Sequence, residues 1–283
     1  MGFIDWVLNI IGLLLWLSFW ASRFDPLSKP AAGTLAGTLK PAEPRKTTHA
    51  NALIWLTLLL VARAVFYDLI GRSLEIPFQL DPGTVTMIFR PLATPSFNSF
   101  LHMLSYSIAS FILTFTWAHL WLVFLAAINH REGDHLIYLR LLRFYLGRLA
   151  RLHPAIQLFL GLILVGLAWA LIRLLMIWQG TLPPSKSTLN VLAQIGLIMV
   201  SSLISLRYLI AILLGLHFLS QFAYFGQPPW LLFAITSAKN LLAPFANLPL
   251  RIGQVDFMPI LIIAATFGIA QLIRHYMPIL LTF

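Results

Sequence analysis

Two arginines stand inside apolar stretches that are long enough to cross a membrane. Arg63 and Arg207 lie well within these stretches, and a charge at the bilayer centre costs about 2.5–3.5 kcal/mol on insertion scales. Each side chain is therefore expected to face protein or water, or to snorkel. For Arg207 the partner stays open between a backbone carbonyl, another chain and an anionic lipid, because no acid lies at comparable depth in its span.

Three histidines also fall within the predicted spans, where an imidazole could ligate haem or a pigment. They are His102, His119 and His217. No pair of them sits at a metal-like spacing on one helix, so hydrogen bonding within the bundle is the simpler interpretation. We predict no metal site and no cofactor, and keep a haem- or pigment-binding subunit as an alternative.

Residues for covalent or acid–base catalysis do not form a recognisable constellation. The chain has no cysteine, which excludes thiolate catalysis, disulfides and zinc–thiolate sites. It has no paired carboxylates on one face, no glycine-rich phosphate loop and no nucleophile beside a base. The sequence therefore predicts a non-enzymatic protein.

A basic amphipathic segment at 135–152 places four arginines on one arc of a helix. Arg140, Arg143, Arg148 and Arg151 fall within about 140° of arc at 100° per residue, with leucines opposite. Such a helix lies in the membrane surface with its arginines toward lipid phosphates or an acidic partner. The same charges also serve as topology signals. No nucleic acid is expected, since the positive-inside rule and anionic headgroups explain the net charge of +10.

Membrane-spanning helices must position these residues. Of the 283 residues, 59% are hydrophobic and 10% are charged, against about 25% charged in soluble domains. We predict an all-α, polytopic transmembrane helix bundle with about six spans and two interfacial amphipathic helices. The spans are expected at 3–21, 50–70, 99–129, 154–178, 188–222 and 257–273, and the amphipathic helices at 135–152 and 231–248.

Positive charge alternates between the loops. The first, third and fifth loops carry five, five and two Lys or Arg, and the second and fourth carry two and one. The positive-inside rule then places the odd loops in the cytoplasm and both termini outside. Trp117 and Trp121, toward the end of the third span, are expected in an interfacial aromatic belt.

The stretch 252–259, Ile-Gly-Gln-Val-Asp-Phe-Met-Pro, leads from the second amphipathic segment into the last span. Asp256 is the only acidic residue after Asp134. Its carboxylate is expected to cap the helix that follows, with Pro259 in the first turn. Gly253 would let the chain turn sharply into the membrane.

This stretch resembles the signature of the YggT family, which runs glycine, glycine, isoleucine, aspartate and then serine–proline. Upstream, 241–249 is similar to that family's leucine-leucine-x-proline run. The chain departs from the family where Met258 replaces the serine and where Ala246 and Asn247 stand in place of an arginine pair. The resemblance is good over roughly 190–275 and faint earlier.

The resemblance implies a chain built from two repeats. It places an N-terminal extension with two spans at 1–96, a first repeat at 97–178 and a second repeat at 188–276. It also implies the bacterial inner (plasma) membrane and a role as scaffold, assembly factor or accessory subunit, linked to cell division, osmotic tolerance or cofactor assembly. The expected partners are the lipid bilayer, anionic headgroups and other membrane protein subunits. A transporter or channel component is the alternative.

Overall fold

A computed structural model gives the fold as a set of helices with two short β ladders. It describes residues 2–21, 49–74, 78–80, 87–89, 97–133, 136–180, 182, 187–223, 226, 228–245, 250–252 and 255–281. The helices in these residues are α1 (Gly2–Ala21), α2 (His49–Leu74), α3 (Phe97–Ile128), α4 (Ile137–Leu146), α5 (Pro154–Trp178), α6 (Thr188–Leu219), α7 (Pro229–Leu242) and α8 (Met258–Leu281). The strands pair as β1 (Phe78–Leu80) with β2 (Met87–Phe89), and as β3 (Arg251–Ile252) antiparallel to β4 (Val255–Asp256).

Five helices in the described part of the chain, namely α1, α2, α3, α5 and α6, are long and apolar enough to cross a membrane. The predicted all-α transmembrane bundle is thereby confirmed, and the chain is a multi-pass membrane protein. The sixth predicted span is helical within α8. Its apolar part, Met258–Ile273, is shorter than the ~20 residues that a bilayer needs.

The chain divides into two compact units, and the division falls inside α3. The first unit comprises 1–80 and 88–115, and the second comprises 81–87 and 116–283. Helices in the first unit approach closely at Gly12, where an added Cβ would lie 2.8 Å from the Phe111 ring. The proposed repeats at 97–178 and 188–276 stay a prediction.

The core of the second unit joins two short amphipathic helices to the ends of longer ones. Apolar residues spaced three and four apart give α4 one buried face, as a 3.6-residue period requires. The buried core comprises Val123, Leu125 and Ala126 of α3, Leu139, Leu142 and Leu146 of α4, Leu209, Leu213 and Leu214 of α6, and Ala234 and Ala238 of α7. Both predicted amphipathic helices are therefore present, in α4 and α7.

The first amphipathic helix is shorter than the sequence predicts. It ends at Leu146 because Gly147 adopts a φ of 56° and donates its N–H to the carbonyl of Arg143 at 2.8 Å. This left-handed conformation favours glycine and terminates a helix. A 3₁₀ turn, Leu149–Arg151, then leads toward α5.

Candidate functional site

Arg63 lies at the centre of a buried polar cluster in the first unit. Its Nη2 donates to Asp5 Oδ1 at 2.6 Å, and its Nη1 donates to Asn9 Oδ1 at 2.7 Å. Nη2 also donates to Ser110 Oγ at 3.0 Å. Arg63 is 3% exposed and Asp5 is 9% exposed. The intramembrane arginine is thus neutralised by a carboxylate from α1.

Two tyrosines complete the hydrogen bonding of this carboxylate. Tyr67 donates its hydroxyl to Asp5 Oδ1 at 2.5 Å, and Tyr106 donates to Oδ2 at 2.9 Å. The β1–β2 ladder covers the tyrosine rings, with Phe78 4.5 Å from Tyr67 and Phe89 5.0 Å from Tyr106 between ring centroids. All four rings are buried. The Asp5 cluster is defined as Asp5, Asn9, Arg63, Tyr67, Tyr106 and Ser110.

A charge in the middle of a span is a signal that Asp5 does not give, because this residue lies close to the start of α1. A different signal points to the cluster. Each of the three helices contributes two polar residues four positions apart, and such residues share one face of a helix. The pairs are Asp5 and Asn9 in α1, Arg63 and Tyr67 in α2, and Tyr106 and Ser110 in α3.

The two tryptophans for which the sequence predicts an aromatic belt form hydrogen bonds to α6 in the second unit, and the belt itself stays a prediction. Trp117 donates its indole N–H to Ser202 Oγ at 3.0 Å, and Trp121 donates to Ser205 Oγ at 3.1 Å. The two tryptophans are about one helical turn apart on α3, and the two serines are about one helical turn apart on α6. Polar groups within spans gain from bonding to a neighbouring helix, since lipid offers no alternative partner.

The four arginines predicted for the basic helix border one cavity of about 680 Å³ in the second unit. Arg148 and Arg151 are exposed, while Arg140 is partly buried and its buried Nε has no hydrogen-bond partner within the described part of the chain. Among the described residues, no carboxylate forms an ion pair with any of these three. The structure thus brings together all four predicted arginines, including Arg143, in what we call the basic cavity.

Arg143 also supports the chain just beyond the end of α3. Its Nη2 donates to the backbone oxygens of Asn129 at 3.2 Å and Glu132 at 2.6 Å. Asn240 of α7 donates from Nδ2 to Asn129 Oδ1 at 2.9 Å and to Glu132 Oε1 at 3.2 Å. This junction fixes one wall of the basic cavity, to which Glu132 belongs.

Arg207 is 8% exposed and lies within α6. Its Nη2 donates to the Tyr208 hydroxyl at 2.7 Å, and its Cζ lies 4.6 Å from the Tyr208 ring centroid and 5.2 Å from that of Phe267 on α8. Among the residues that the structure describes, its buried Nε has no hydrogen-bond partner and no carboxylate pairs with it. Arg207 lines a cavity of about 250 Å³ between α6 and α8. The other residues that line this cavity are apolar, apart from Thr266. We call this cavity the Arg207 groove.

Asp256 forms hydrogen bonds at the C-terminal end of α6 and at the start of α8. Its Oδ1 accepts the backbone N–H of Met258, the first residue of α8, at 2.9 Å, as a helix cap does. Its own backbone N–H donates at 2.9 Å to the side chain of Gln221, which follows α6. Pro259 is buried in the first turn of α8. Gly253 lies outside the described residues.

Two of the three histidines in the predicted spans pack against aromatic rings. His119 Nδ1 lies 3.2 Å from the Tyr145 hydroxyl, and the His102 ring centroid lies 5.3 Å from that of Phe89. His217 has a buried Nδ1 that finds no hydrogen-bond partner in the described ranges. The residues that the structure describes contain no group of three or more His, Asp or Glu that could hold a metal ion. Haem or pigment ligation stays a prediction.

The fold and these sites define a multi-pass helical membrane protein with charged side chains buried between its helices. No protein-family model, no curated protein and no solved structure matches this chain. The resemblance to the YggT family therefore rests on the residues of 241–259 alone.

Proposed function

We propose that this chain is a non-enzymatic scaffold, assembly factor or accessory subunit of a membrane complex. The proposal includes the bacterial inner membrane as its location and the YggT-like resemblance as its family context. The observation that carries it is Arg207, a buried cation without a carboxylate partner in the described residues. Within a complex, a second membrane protein would supply the missing anion.

The nearest acid along the chain cannot easily serve Arg207. Asp256 is the only acidic residue after Asp134, and its backbone N–H is bound by Gln221, just beyond the C-terminal end of α6. Gln221 lies about 21 Å from Arg207 along the helix axis at 1.5 Å per residue. The carboxylate of Asp256 is in addition used as the cap of α8.

A transmembrane helix with a carboxylate fits this arginine better than a lipid headgroup does. Arg207 lies about 18 Å from the C-terminal end of α6 and about 28 Å from its N-terminal end. Side chains on a helix lean toward its N-terminus, so Arg207 leans away from the nearer end. The apolar lining of the Arg207 groove, with Ile269 57% exposed, suits a spanning helix laid along α6 and α8.

Purification from native membranes tests the proposal through the charge of Arg207. The wild-type chain should bring down a membrane protein that carries Asp or Glu within a span, whereas Arg207→Leu should lose it. Arg131→Gln removes a positive charge from an exposed loop residue and should retain the partner. Isolated Arg207→Leu should be no less stable than wild type, because it removes an unpaired buried charge.

Two results would overturn the proposal. One is equal recovery of the partner by wild type and Arg207→Leu. The other is lower thermal stability of isolated Arg207→Leu, which would give Arg207 a structural role within the chain.

A transporter or channel component is the second candidate, and the Asp5 cluster is the observation that favours it. Paired intramembrane charges often mark proton or ion paths. The Asp5 carboxylate accepts three hydrogen bonds and is covered by Phe78 and Phe89, so transport would require this cover to open. Purified protein in proteoliposomes should then dissipate an ion or proton gradient, and Asp5→Asn should stop the flux. Absence of flux in the wild type removes this candidate.

A further inference from the structure

The basic cavity lies where two membrane-spanning helices meet the surface. Its walls include His130 and Glu132, which directly follow the end of α3, and the 147–151 region, which directly precedes α5 at Pro154. Both α3 and α5 are long and apolar enough to span a membrane. The cavity therefore lies at the ends of two predicted spans, where lipid headgroups are expected.

The charge in this cavity calls for an anion. Four arginines face one glutamate among its lining residues, and the Glu132 carboxylate already accepts a hydrogen bond from Asn240. Arg143 is engaged with backbone carbonyls, which leaves three arginines for a ligand. Arg140 also lines the cavity, and its buried Nε has no hydrogen-bond partner among the described residues. Guanidinium groups bind phosphate oxygens with matched, bidentate geometry.

The cavity also has an apolar side. Phe144 lines it and is 41% exposed. Its volume of about 680 Å³ far exceeds what one small anion needs, since a water molecule occupies roughly 30 Å³ in the liquid. Arginines beside an exposed apolar side chain suit a phosphate that carries a glycerol and acyl chains. We propose that the basic cavity binds the phosphate headgroup of an anionic phospholipid.

This lipid site is independent of the partner at Arg207, and its test uses purified full-length protein. The probes are phosphatidylglycerol and phosphatidylcholine, and native mass spectrometry counts the retained lipids at increasing lipid concentration. The wild type should retain phosphatidylglycerol in preference. Each basic residue near an anionic surface is worth about fivefold in affinity, so Arg148→Gln/Arg151→Gln should weaken retention about 30-fold.

A matched control separates the site from general charge. Arg131→Gln/Lys239→Gln removes two charges from exposed residues outside the cavity lining and should change retention less than threefold. Arg140→Gln tests Arg140 by itself. It should weaken the retention of phosphatidylglycerol at least fivefold and leave the retention of phosphatidylcholine unchanged. Circular dichroism verifies that each variant folds, and the two exposed arginines can be replaced without removing a core contact.

Three results would overturn the lipid site. They are equal retention of the two lipids by the wild type, an equal loss in the control double variant, and displacement of phosphatidylglycerol by millimolar inorganic phosphate. The last result would assign the cavity to a free phosphate.

Discussion

Removing the carboxylate of Asp5 should destabilise the first unit by several kcal/mol. Losing one partner of a buried ion pair costs about 3–5 kcal/mol, because the other charge is left uncompensated. The two tyrosine hydroxyls contribute less, since a hydrogen bond between transmembrane helices averages about 0.6 kcal/mol. Most of the loss in Asp5→Leu therefore comes from stranding Arg63, which is 3% exposed.

A double-mutant cycle on Asp5 and Arg63 should show strong coupling between the two residues. Arg63→Met should also destabilise, because it strands the Asp5 carboxylate. The double variant Asp5→Leu/Arg63→Met should be more stable than either single variant, since a buried ion pair can often be replaced by apolar side chains at little cost. The coupling energy should exceed about 2 kcal/mol, well beyond the ~0.5 kcal/mol scatter of independent sites.

Equilibrium unfolding in mixed micelles, followed by tryptophan fluorescence and circular dichroism, gives the four free energies. Thr114→Val is the matched control, because its hydroxyl donates to the carbonyl of Ser110 one turn earlier in α3. We expect this control to change the free energy of unfolding by less than about 1 kcal/mol. Additive effects of the two single substitutions would refute the Asp5–Arg63 pair as the element that holds α1 to α2.

Two further predictions concern the last loop and the topology. Asp256→Ala should lower the free energy of unfolding by about 0.5–2 kcal/mol while Asp256→Asn is tolerated, because asparagine keeps a capping oxygen; equal effects of the two in thermal melts would contradict the cap at Met258. Single cysteines at Ser28 and Gly133 should be shielded from an impermeant thiol reagent in intact cells, and one at Ser185 should react, whereas the opposite pattern would reverse the topology. Ser28 and Ser185 lie outside the described residues.

The spans could be predicted because apolar composition over ~20 residues carries most of the signal. The amphipathic helices followed from the spacing of leucines, as Leu139, Leu142 and Leu146 illustrate. The end of α4 could not be predicted, because Gly147 is compatible with a helix interior as well as with a cap until its positive φ is known. The strands of β1 and β2 have three residues each, which is too short for a period-two pattern.

For the candidate sites, the sequence indicated single residues but not the contacts between distant ones. Arg63 and Arg207 stand out in the sequence because charge is rare within spans. The pairing of Arg63 with Asp5 joins residues 58 positions apart, and a contact of that kind depends on how helices pack rather than on local pattern. The four arginines at 140–151 share an arc if the whole segment is read as one helix, but the inward role of Arg143 depends on where α3 ends.

Photocrosslinking from the Arg207 groove would show directly whether a transmembrane partner with a carboxylate occupies it. A photoreactive residue at Ile269, which lines the groove, is compared in native membranes with one at Leu171, an exposed residue of α5 outside it. Ile269 should crosslink to a membrane protein whose adjacent span carries Asp or Glu, and Arg207→Leu or neutralising that acid should remove the adduct. Lipid adducts alone at Ile269, or a protein adduct of unchanged yield in Arg207→Leu, would contradict the proposed partner at Arg207.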